Sequence, residues 1–271
     1  MRTVSKRSYE EVSEVLTQLL IDNADEGERI SQQLFEFADA VVQSPSLSRA
    51  LLDQSRDAAD KDALLDRLVS KDQNPILFAI LSAATQRRWA QGEDFVSAVN
   101  HLGYLAVVKQ ARAQGKLEYM QNELGALRNL LRQNRQFRML LTGIELDSRV
   151  PLEQLVDKLL SNQLSEQTLR LFNRLLAVPL SPSLLADVDQ LASLMAHERG
   201  ARLVRVASAT PLSDLQKQRL AVALNKKYGN VTLNVSVDPS LIGGLRIRVG
   251  NDSIDGTIKA ELSDVRQRMG V

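Results

Sequence analysis

Two aspartates and a pair of glycines near the carboxyl end are the residues whose types and order could support chemistry. Asp238 and Asp255 could act as paired carboxylates in acid–base catalysis, and Gly243-Gly244 could cradle a phosphate. Each has a simpler structural interpretation. Asp238 precedes Pro239, and Asp255 lies where a last helix should begin; aspartate stabilises turns and helix starts at such positions. No Walker-type Gly-x-x-x-x-Gly-Lys-Ser/Thr pattern follows the glycines, so we expect a tight turn or a close backbone approach there.

Other groups that catalysis or metal binding would need are scarce. The chain has no cysteine, which excludes disulfides, thiolate catalysis and cysteine-ligated zinc. His101 and His197 are its only imidazoles, and His197 is placed to cap the carboxyl end of a helix. We therefore predict a protein that is not an enzyme and needs no metal or other cofactor. The alternative is an enzyme whose active site lies in the C-terminal residues. A catalytic turnover that is lost when Asp238 or Asp255 is substituted would support this alternative.

The composition favours helices that pack through aliphatic side chains. Apolar residues make up 44% of the 271 residues, whereas aromatic residues make up only 4%. The net charge of +1 argues against nucleic acid or an anionic membrane surface as a partner. No apolar run approaches the roughly 20 residues that span a bilayer, and the N-terminal stretch lacks an apolar signal-peptide core. We expect a cytoplasmic protein without direct membrane insertion, which meets a membrane only through a partner.

Helical periodicity extends over residues 8–199. Apolar side chains recur at spacings of three and four, which marks one buried face per helix, as in the stripe formed by Val12, Val15, Leu16 and Leu19. Ser44-Pro45-Ser46 breaks the second helix, and Ser46 is a candidate cap for a short third one. Asn74-Pro75 precedes a strongly apolar segment, Ile76 to Leu81, which predicts a helix at the centre of its bundle.

An internal repeat relates two parts of this helical region. Residues 32–52 align with residues 122–142 at a shift of about 90, so that Leu34, Phe37, Val41 and Leu51 fall on Leu124, Leu127, Leu131 and Leu141. Further on, LLDRLVS at residues 64–70 aligns with LVDKLLS at residues 155–161. Leu-rich helices align easily by chance, but two matching blocks in one order, with a break at the same place, favour duplication.

The two copies run together without a linker. Residues 92–114 contain Gly103 but no proline and no loop-like cluster, so a long helix should connect the copies as a rigid tandem. We predict a mainly α protein with three domains. Residues 1–103 form a first bundle of about six helices, residues 104–199 form a second bundle that duplicates the first, and residues 200–271 form a small α+β domain.

The composition shifts at about Gly200. Residues 201–209 have strand character, a helix starts near Thr210 and Ser213 and ends at Gly229, and residues 231–237 alternate with a period of two. The segment Leu245 to Val249 alternates in the same way, with Arg246 and Arg248 on its outward side. These arginines belong either to a solvated strand face or to a basic patch for a partner, and the solvated face is the simpler interpretation.

The order of these C-terminal elements and motifs resembles the end of the delta subunit of the bacterial F-type ATP synthase, a relative of the mitochondrial oligomycin-sensitivity-conferring protein. The resemblance covers roughly 65 residues of this region, and the motif residues that carry it follow in one order: Pro211, Ser213, Asp238, Pro239, Gly243, Gly244, Ile254, Asp255 and Gly256. The family's run ends with an Ile-Asp-Gly turn before a last helix. An ordinary member has one N-terminal six-helix bundle, so a duplicated bundle resembles the extended actinobacterial forms.

The resemblance implies a stator subunit that links the catalytic head to the peripheral stalk, so that the head does not turn with the rotor during proton-driven ATP synthesis. It implies two partners, an N-terminal amphipathic helix of an alpha subunit in a groove of a bundle and the b-type stalk subunit on the C-terminal domain. One copy per hetero-oligomeric complex would sit at the cytoplasmic face of the bacterial plasma membrane. A helical-repeat adaptor outside the synthase is the alternative; the tandem bundles alone would support it, but the C-terminal motifs argue against it.

Overall fold

The computed structural model describes residues 2–142, 149–181, 183–200, 202–241, 243–249 and 252–257. The chain divides between Lys116 and Leu117 into two compact units, called unit 1 and unit 2 below. The described elements of unit 1 are α1 (Thr3–Ile21), a 3-10 turn (Ala24–Glu26), α2 (Gly27–Gln43), α3 (Pro45–Leu52), α4 (Ala58–Val69), α5 (Pro75–Thr85) and α6 (Gly92–Ala113). Those of unit 2 are α7 (Leu117–Gln133), α8 (Arg135–Thr142), α9 (Arg149–Leu160), α10 (Glu166–Ala177), α11 (Leu184–Glu198), β1 (Arg202–Ser208), α12 (Asp214–Tyr228), β2 (Val231–Val237), β3 (Gly244–Val249) and β4 (Asp252–Thr257).

The predicted fold class is confirmed, because helices dominate the chain and a small sheet with its own helix follows them. The helix α6 is 22 residues long and runs through the 103/104 boundary expected from the sequence. It ends three residues before α7 begins. A close approach of α2 and α6 depends on Gly103, since a Cβ atom there would overlap the ring of Phe35. Unit 1 is therefore a tightly packed bundle built around α6.

The helices of unit 2 repeat the dimensions of those in unit 1. Both α2 and α7 have 17 residues, both α3 and α8 have 8, and both α4 and α9 have 12. The aligned apolar residues are all buried: Leu34, Phe37, Val41 and Leu51 in unit 1, and Leu124, Leu127, Leu131 and Leu141 in unit 2. The shared burial pattern means that the two sets of helices use the same side chains for their cores.

A polar contact at the amino end of α5 recurs at the amino end of α10. In unit 1, Gln33 donates from Nε2 to Oδ1 of Asn74, the residue before α5, at 2.7 Å. In unit 2, the aligned Glu123 accepts hydrogen bonds from the backbone and the hydroxyl of Ser165, the residue that caps α10. A polar side chain thus ties α2 to the amino end of α5 in unit 1 and α7 to the amino end of α10 in unit 2.

One cap differs from the sequence prediction. Ser44, not Ser46, caps α3, because its hydroxyl accepts the amide of Leu47 at 3.4 Å. Pro45 occupies the first helical position, where its missing N–H and fixed φ are favourable, and this places the cap one residue before it.

The sheet of unit 2 has the strand order β2-β1-β3-β4, with β1 and β2 parallel and the other pairs antiparallel. Its apolar face packs against α12 through a core that contains Val204, Val206, Ile247, Val249 and Leu224. The alternation predicted for residues 231–237 is confirmed, since Val231, Leu233 and Val235 join this core. The opposite face carries the polar side chains of β1 and β2, and it is this face that lies toward α7 and α11.

Candidate functional site

The helix α5 is apolar on nearly every side, as expected from its sequence, and a helix of this kind is normally buried all round. Leu77, Ile80 and Leu81 are fully buried, but Ile76 and Ala79 are only half-buried. One side of α5 is therefore only partly covered by unit 1.

The helix α1 packs beside α5. Tyr9 stacks edge-on against His101 of α6, with ring centroids 5.9 Å apart, so that side of α1 faces α6. Glu11 lies on the other side and pairs with Arg87, two residues beyond the end of α5, at 3.1 Å. Val15 and Leu19 follow Glu11 at helical spacing and are half-buried, so they continue the same side toward α5.

These observations define a shallow apolar surface on unit 1, which we name the α1/α5 strip. It consists of Val15 and Leu19 on α1 and Ile76 and Ala79 on α5, with the Glu11–Arg87 ion pair at one end. Apolar side chains at spacings of three and four on two packed helices fit the apolar face of a third helix. The strip offers no group for covalent chemistry; what it can do is hold a helix.

A second concave surface of unit 1 lies where α2, α3, α4 and α5 meet. Its cavity volume is about 380 Å3, and Phe37, Leu47, Leu68 and Leu77 contribute its apolar lining. Leu68 is 47% exposed, and the aligned Leu159 of unit 2 is 48% exposed. The lining comes from the middle of α2, the end of α4, the loop before α5 and the first turn of α5, so the cavity lies at a junction of several helices.

The buried Lys61 of α4 makes a specific contact with the end of α5. Its Nζ donates to the carbonyl oxygen of Thr85, the last residue of α5, at 3.1 Å. A positive charge at the carboxyl end of a helix is favourable and satisfies a carbonyl that has no partner within the helix. Trp89 donates from Nε1 to the carbonyl of Ala84 at 2.8 Å and packs on Phe95, so it is a packing residue of unit 1.

The motif residues of unit 2 occupy turns and caps. The hydroxyl of Ser213 accepts the amide of Gln216, whose side chain accepts the amide of Ser213, and this capping box begins α12 just after the exposed Pro211. Asp238 and Pro239 open a turn that the hydrogen bond from the Leu241 amide to the Asp238 carbonyl closes at 3.0 Å. Both predictions, the helix start and the Asp-Pro turn, are confirmed.

The two glycines of the motif lie at the start of β3, which begins at Gly244. Gly243 is half-buried, and Gly244 has a φ of 83°, a conformation that side chains with a Cβ rarely adopt. The tight backbone expected at Gly243-Gly244 is therefore present. Ile242 between Leu241 and these glycines lies outside the described residues.

The predicted turn at Ile254-Asp255-Gly256, with Asp255 at the start of the last helix, is wrong. These residues form β4, in which Ile254 pairs with Ile247 and Asp255 pairs with Arg246 across the strands. The Arg246 Nε donates to Asp255 Oδ2 at 3.3 Å on the exposed polar face. The sequence of β4 has weak strand propensity by itself, and pairing with the regular strand β3 keeps it extended. The predicted last helix falls within residues 258–271, outside the described residues.

The two aspartates considered as paired acids lie in different surroundings. Asp238 is bound to Arg132 of α7 at 2.6 Å, whereas Asp255 is bound to Arg246 on β3. Each carboxylate thus has an arginine of its own, which suits a structural role. Within the described ranges, the structure contains no group of three side chains that could ligate a metal ion and no helix long and apolar enough to cross a membrane.

An ionic network that the sequence reasoning missed joins the sheet to the helices of unit 2. Asp189 of α11 accepts two hydrogen bonds from Arg128 of α7, from Nε at 2.6 Å and from Nη2 at 3.2 Å, and a third contact from Arg205 of β1 at 3.2 Å. The Asp189 side chain is 9% exposed. We name Arg128, Asp189 and Arg205 the Asp189 cluster. Bidentate pairing in a largely dry setting fixes three elements in one geometry.

A second set of polar contacts joins α7 to β2 and to the Asp238-Pro239 turn. Arg132, one turn after Arg128, binds the Ser236 hydroxyl of β2 at 2.6 Å as well as the Asp238 carboxylate. The sequence signal was the pair of arginines at a spacing of four, opposite a strand with Ser and Asn on its outward side. That side of the strand does not meet solvent at Ser236, which is buried.

The surroundings of Asp238 predict an acid-sensitive step. The Ser240 hydroxyl, the Ser240 amide and the Arg132 guanidinium hold the pKa of Asp238 below its ordinary value, although partial burial opposes them. A lowered pKa stabilises the fold above the unfolded-state pKa of about 3.9, and this contribution is lost as the pH falls through the folded-state pKa. We expect Asp238→Asn to flatten the fall in unfolding free energy below about pH 5, measured by urea denaturation. The exposed Asp214→Asn variant should keep the wild-type slope, and an unchanged slope in Asp238→Asn would contradict the prediction.

Comparison with known proteins identifies the family of this chain. Residues 105–269 match the model of the ATP synthase delta (OSCP) subunit family. The chain is 33% identical to ATP synthase subunit delta of Kineococcus radiotolerans, over 98% of this chain and 96% of that protein. The chain belongs to the ATP synthase delta (OSCP) subunit family. It is also 33% identical to the Streptomyces coelicolor subunit, over 83% of this chain and 82% of the relative, and 30% identical to the Streptomyces griseus subunit, over 99% of each.

Membership of the delta family confirms the resemblance seen in the sequence, including its actinobacterial character. The chain is a peripheral-stalk subunit of the F-type ATP synthase, a structural component and not a catalytic one. It is thus a peripheral component of a membrane-bound complex. The alternative of an adaptor outside the synthase is not supported. The family match begins at residue 105, within α6, so it covers unit 2 and leaves most of unit 1 as an N-terminal addition to the matched region.

Proposed function

We propose that the chain holds the catalytic head to the b-type stalk, with an N-terminal helix of an alpha subunit bound to the α1/α5 strip. One observation carries the proposal: α5 is apolar on nearly all sides, yet Ile76 and Ala79 stay half-exposed beside α1. Leaving such a surface open to water is unfavourable, and an amphipathic helix would cover it.

The shape of the strip supports a helix as its occupant. Val15 and Leu19 are spaced by four and Ile76 and Ala79 by three, so the strip has a ridge on each side. The small side chain of Ala79 lets a partner backbone come close. The Glu11–Arg87 pair supplies both signs of charge at one end, where it can fix the direction and register of the bound helix.

The C-terminal α+β module meets the b-type subunit in this proposal. The Asp189 cluster and Arg132 attach the module to α7 and α11, so a load applied to the module passes into the helices of unit 2. Two linked contacts, one to the head and one to the stalk, hold the complex more firmly than either contact would alone. One such chain per complex, at the cytoplasmic face of the bacterial plasma membrane, would keep the head from turning with the rotor.

The domain organisation proposed from the sequence fits this role. We propose that residues 1–103 and 104–199 are duplicated bundles and residues 200–271 the C-terminal domain. Equal helix lengths and the recurrent Gln33 and Glu123 contacts support the duplication. The first bundle would dock the alpha subunit, and the second would lengthen the connection between head and stalk.

Binding to a peptide from the extreme N-terminus of the same organism's alpha subunit tests the head contact. We expect saturable one-to-one binding to the full chain by titration calorimetry, with a negative heat-capacity change because apolar surface becomes buried. The purified soluble part of the same organism's b-type subunit should bind independently. No heat with the peptide, from a chain whose circular dichroism confirms folding, would refute the proposed docking of alpha.

A further inference from the structure

The outward side of α12 carries a regular stripe that the described part of the fold does not bury. Leu220, Leu224 and Tyr228 point to the sheet and pack on its apolar core. On the opposite side, helical spacing places Leu215, Arg219, Val222 and Lys226 in one row, which we name the α12 stripe. Apolar and basic side chains alternate along it at intervals of three and four residues.

The two apolar members of the α12 stripe are strongly exposed. Leu215 is 57% exposed, and Val222, at 69%, is the most exposed large apolar side chain among the residues that the structure describes. Single exposed leucines are common and need no explanation. Here, however, two lie seven residues apart, which is two helical turns on one side of a helix, and this spacing matches the seam between two paired helices.

The charges of the α12 stripe indicate the chemistry of an occupant. Lys217 is paired with Asp214 at 3.0 Å, and Lys227 lies over the ring of Tyr228 at 5.2 Å. Arg219 and Lys226, by contrast, have no ion pair with any described residue. Two cations that flank Val222 and have no ion pair within the described residues would attract carboxylates, so charge complementarity selects an acidic helix with apolar residues every seven positions.

We propose that the α12 stripe is the docking surface for an acidic amphipathic helix of the b-type stalk subunit. The inference rests on the proposed function and makes it specific, because it assigns one face of one helix to that contact. Leu215 and Val222 supply apolar anchors, while Arg219 and Lys226 bind carboxylates on either side of them. The same helix α12 closes the sheet core with its other face, so the docked helix pulls directly on the C-terminal module.

Titration of the full chain with the purified soluble part of the same organism's b-type subunit tests the assignment. We expect the double variant Leu215→Glu/Val222→Glu to weaken binding about 100-fold, because two anchors become charges that repel an acidic helix. Arg219→Glu/Lys226→Glu should weaken it about 10-fold and remove most of its salt dependence. Glutamate is a good helix former, so α12 should persist in all of these variants, as circular dichroism would verify. Val42→Glu, an equally exposed substitution on α2, is the matched control and should bind like wild type.

The outcomes separate the two proposals. If wild type binds and the α12 variants bind equally well, the α12 stripe is not the surface and the stalk contact lies elsewhere on the chain. If wild type itself does not bind, the proposed stalk contact fails together with this assignment. Maleimide labelling of Val222→Cys gives a second check, since the chain has no other cysteine. Rapid labelling of the free chain and protection by the b-type subunit are expected. Slow labelling of the free chain would mean that another part of the chain covers the stripe, which would overturn the inference.

Discussion

Asp189→Asn is expected to lower the free energy of unfolding of unit 2 by about 3 kcal/mol, because it leaves Arg128 and Arg205 facing a site without a negative charge. Asparagine keeps the size of the side chain, so the effect comes from charge and hydrogen bonding and not from a cavity. Removing one partner of a buried ion pair costs about 3–5 kcal/mol in general. Arg205 retains contact with water, which places the expected effect at the lower end of that range.

The position of the single tryptophan makes the measurement selective. Trp89 lies in unit 1, so its fluorescence reports on that unit, whereas far-ultraviolet circular dichroism reports on helices of both units. The free energy of unfolding falls by about 2 kcal/mol per molar urea. The urea midpoint of the circular dichroism transition should therefore be about 1–2 M lower in Asp189→Asn than in wild type. The Trp89 transition should stay where it is in wild type. Equal shifts of the two transitions would contradict an effect confined to unit 2.

Two controls isolate the charge pair. Asp214→Asn removes an exposed aspartate that also pairs with a basic residue, and it should leave both transitions unchanged. A double-mutant cycle with Arg128→Ala and Asp189→Ala should give a coupling energy of about 2 kcal/mol, because the two side chains share two hydrogen bonds. Additive effects of the two substitutions would mean that the bidentate pair contributes little.

The Asp189 cluster bears on function because a stator subunit has to resist torque. Apolar packing has no preferred direction, so a sheet held to helices by apolar contacts alone can slide. Bidentate and charge-assisted hydrogen bonds fix both distance and angle. Arg128 and Arg132 lie one helical turn apart and bind different partners, Asp189 on α11 and Asp238 after β2. The C-terminal module is thereby held at two separated points, which opposes rotation about either of them.

The sequence predicted those parts of the fold that depend on local pattern. Periodicity located the helices, and the alternation from Val231 to Val237 located β2, because the spacing of apolar side chains can be read from the local sequence. Strand β4 was missed, since Asp252–Thr257 contains Gly and two Asp residues and owes its conformation to pairing with β3. Local sequence carries no record of such pairing.

The candidate sites were less accessible to sequence reasoning for a related physical reason. The Asp189 cluster joins residues 61 positions apart on α7 and α11, and nothing near either residue specifies its partner. The α1/α5 strip is likewise recognisable only once α1 and α5 are known to be neighbours. The motif residues Ser213, Asp238 and Gly244 could be assigned to a cap and to turns in advance, because their hydrogen bonds and dihedral angles are local.

Ala79→Glu is expected to weaken binding of the alpha-subunit peptide at least about 100-fold, because it places a charge in the middle of the α1/α5 strip. The bound helix would have to bury that charge or lift off the strip. Ile76→Ala removes only an apolar contact from the edge of the same strip and should weaken binding about 10-fold. Titration calorimetry with the full chain measures both effects, and the Trp89 fluorescence transition in urea verifies that unit 1 remains folded.

The decisive comparison for docking is between the two concave surfaces of unit 1. Leu68→Glu charges the cavity between α2 and α5 without touching the α1/α5 strip, and Val42→Glu adds the same charge at a site outside both surfaces. If the strip is the docking site, Ala79→Glu abolishes binding while Leu68→Glu and Val42→Glu bind like wild type. If Leu68→Glu alone abolishes binding, the cavity is the docking site and the strip has another use. Ala79→Glu and Leu68→Glu each add one charge to one of the two surfaces and leave the apolar core of the bundle intact. The variant that loses binding therefore identifies the surface that binds the helix.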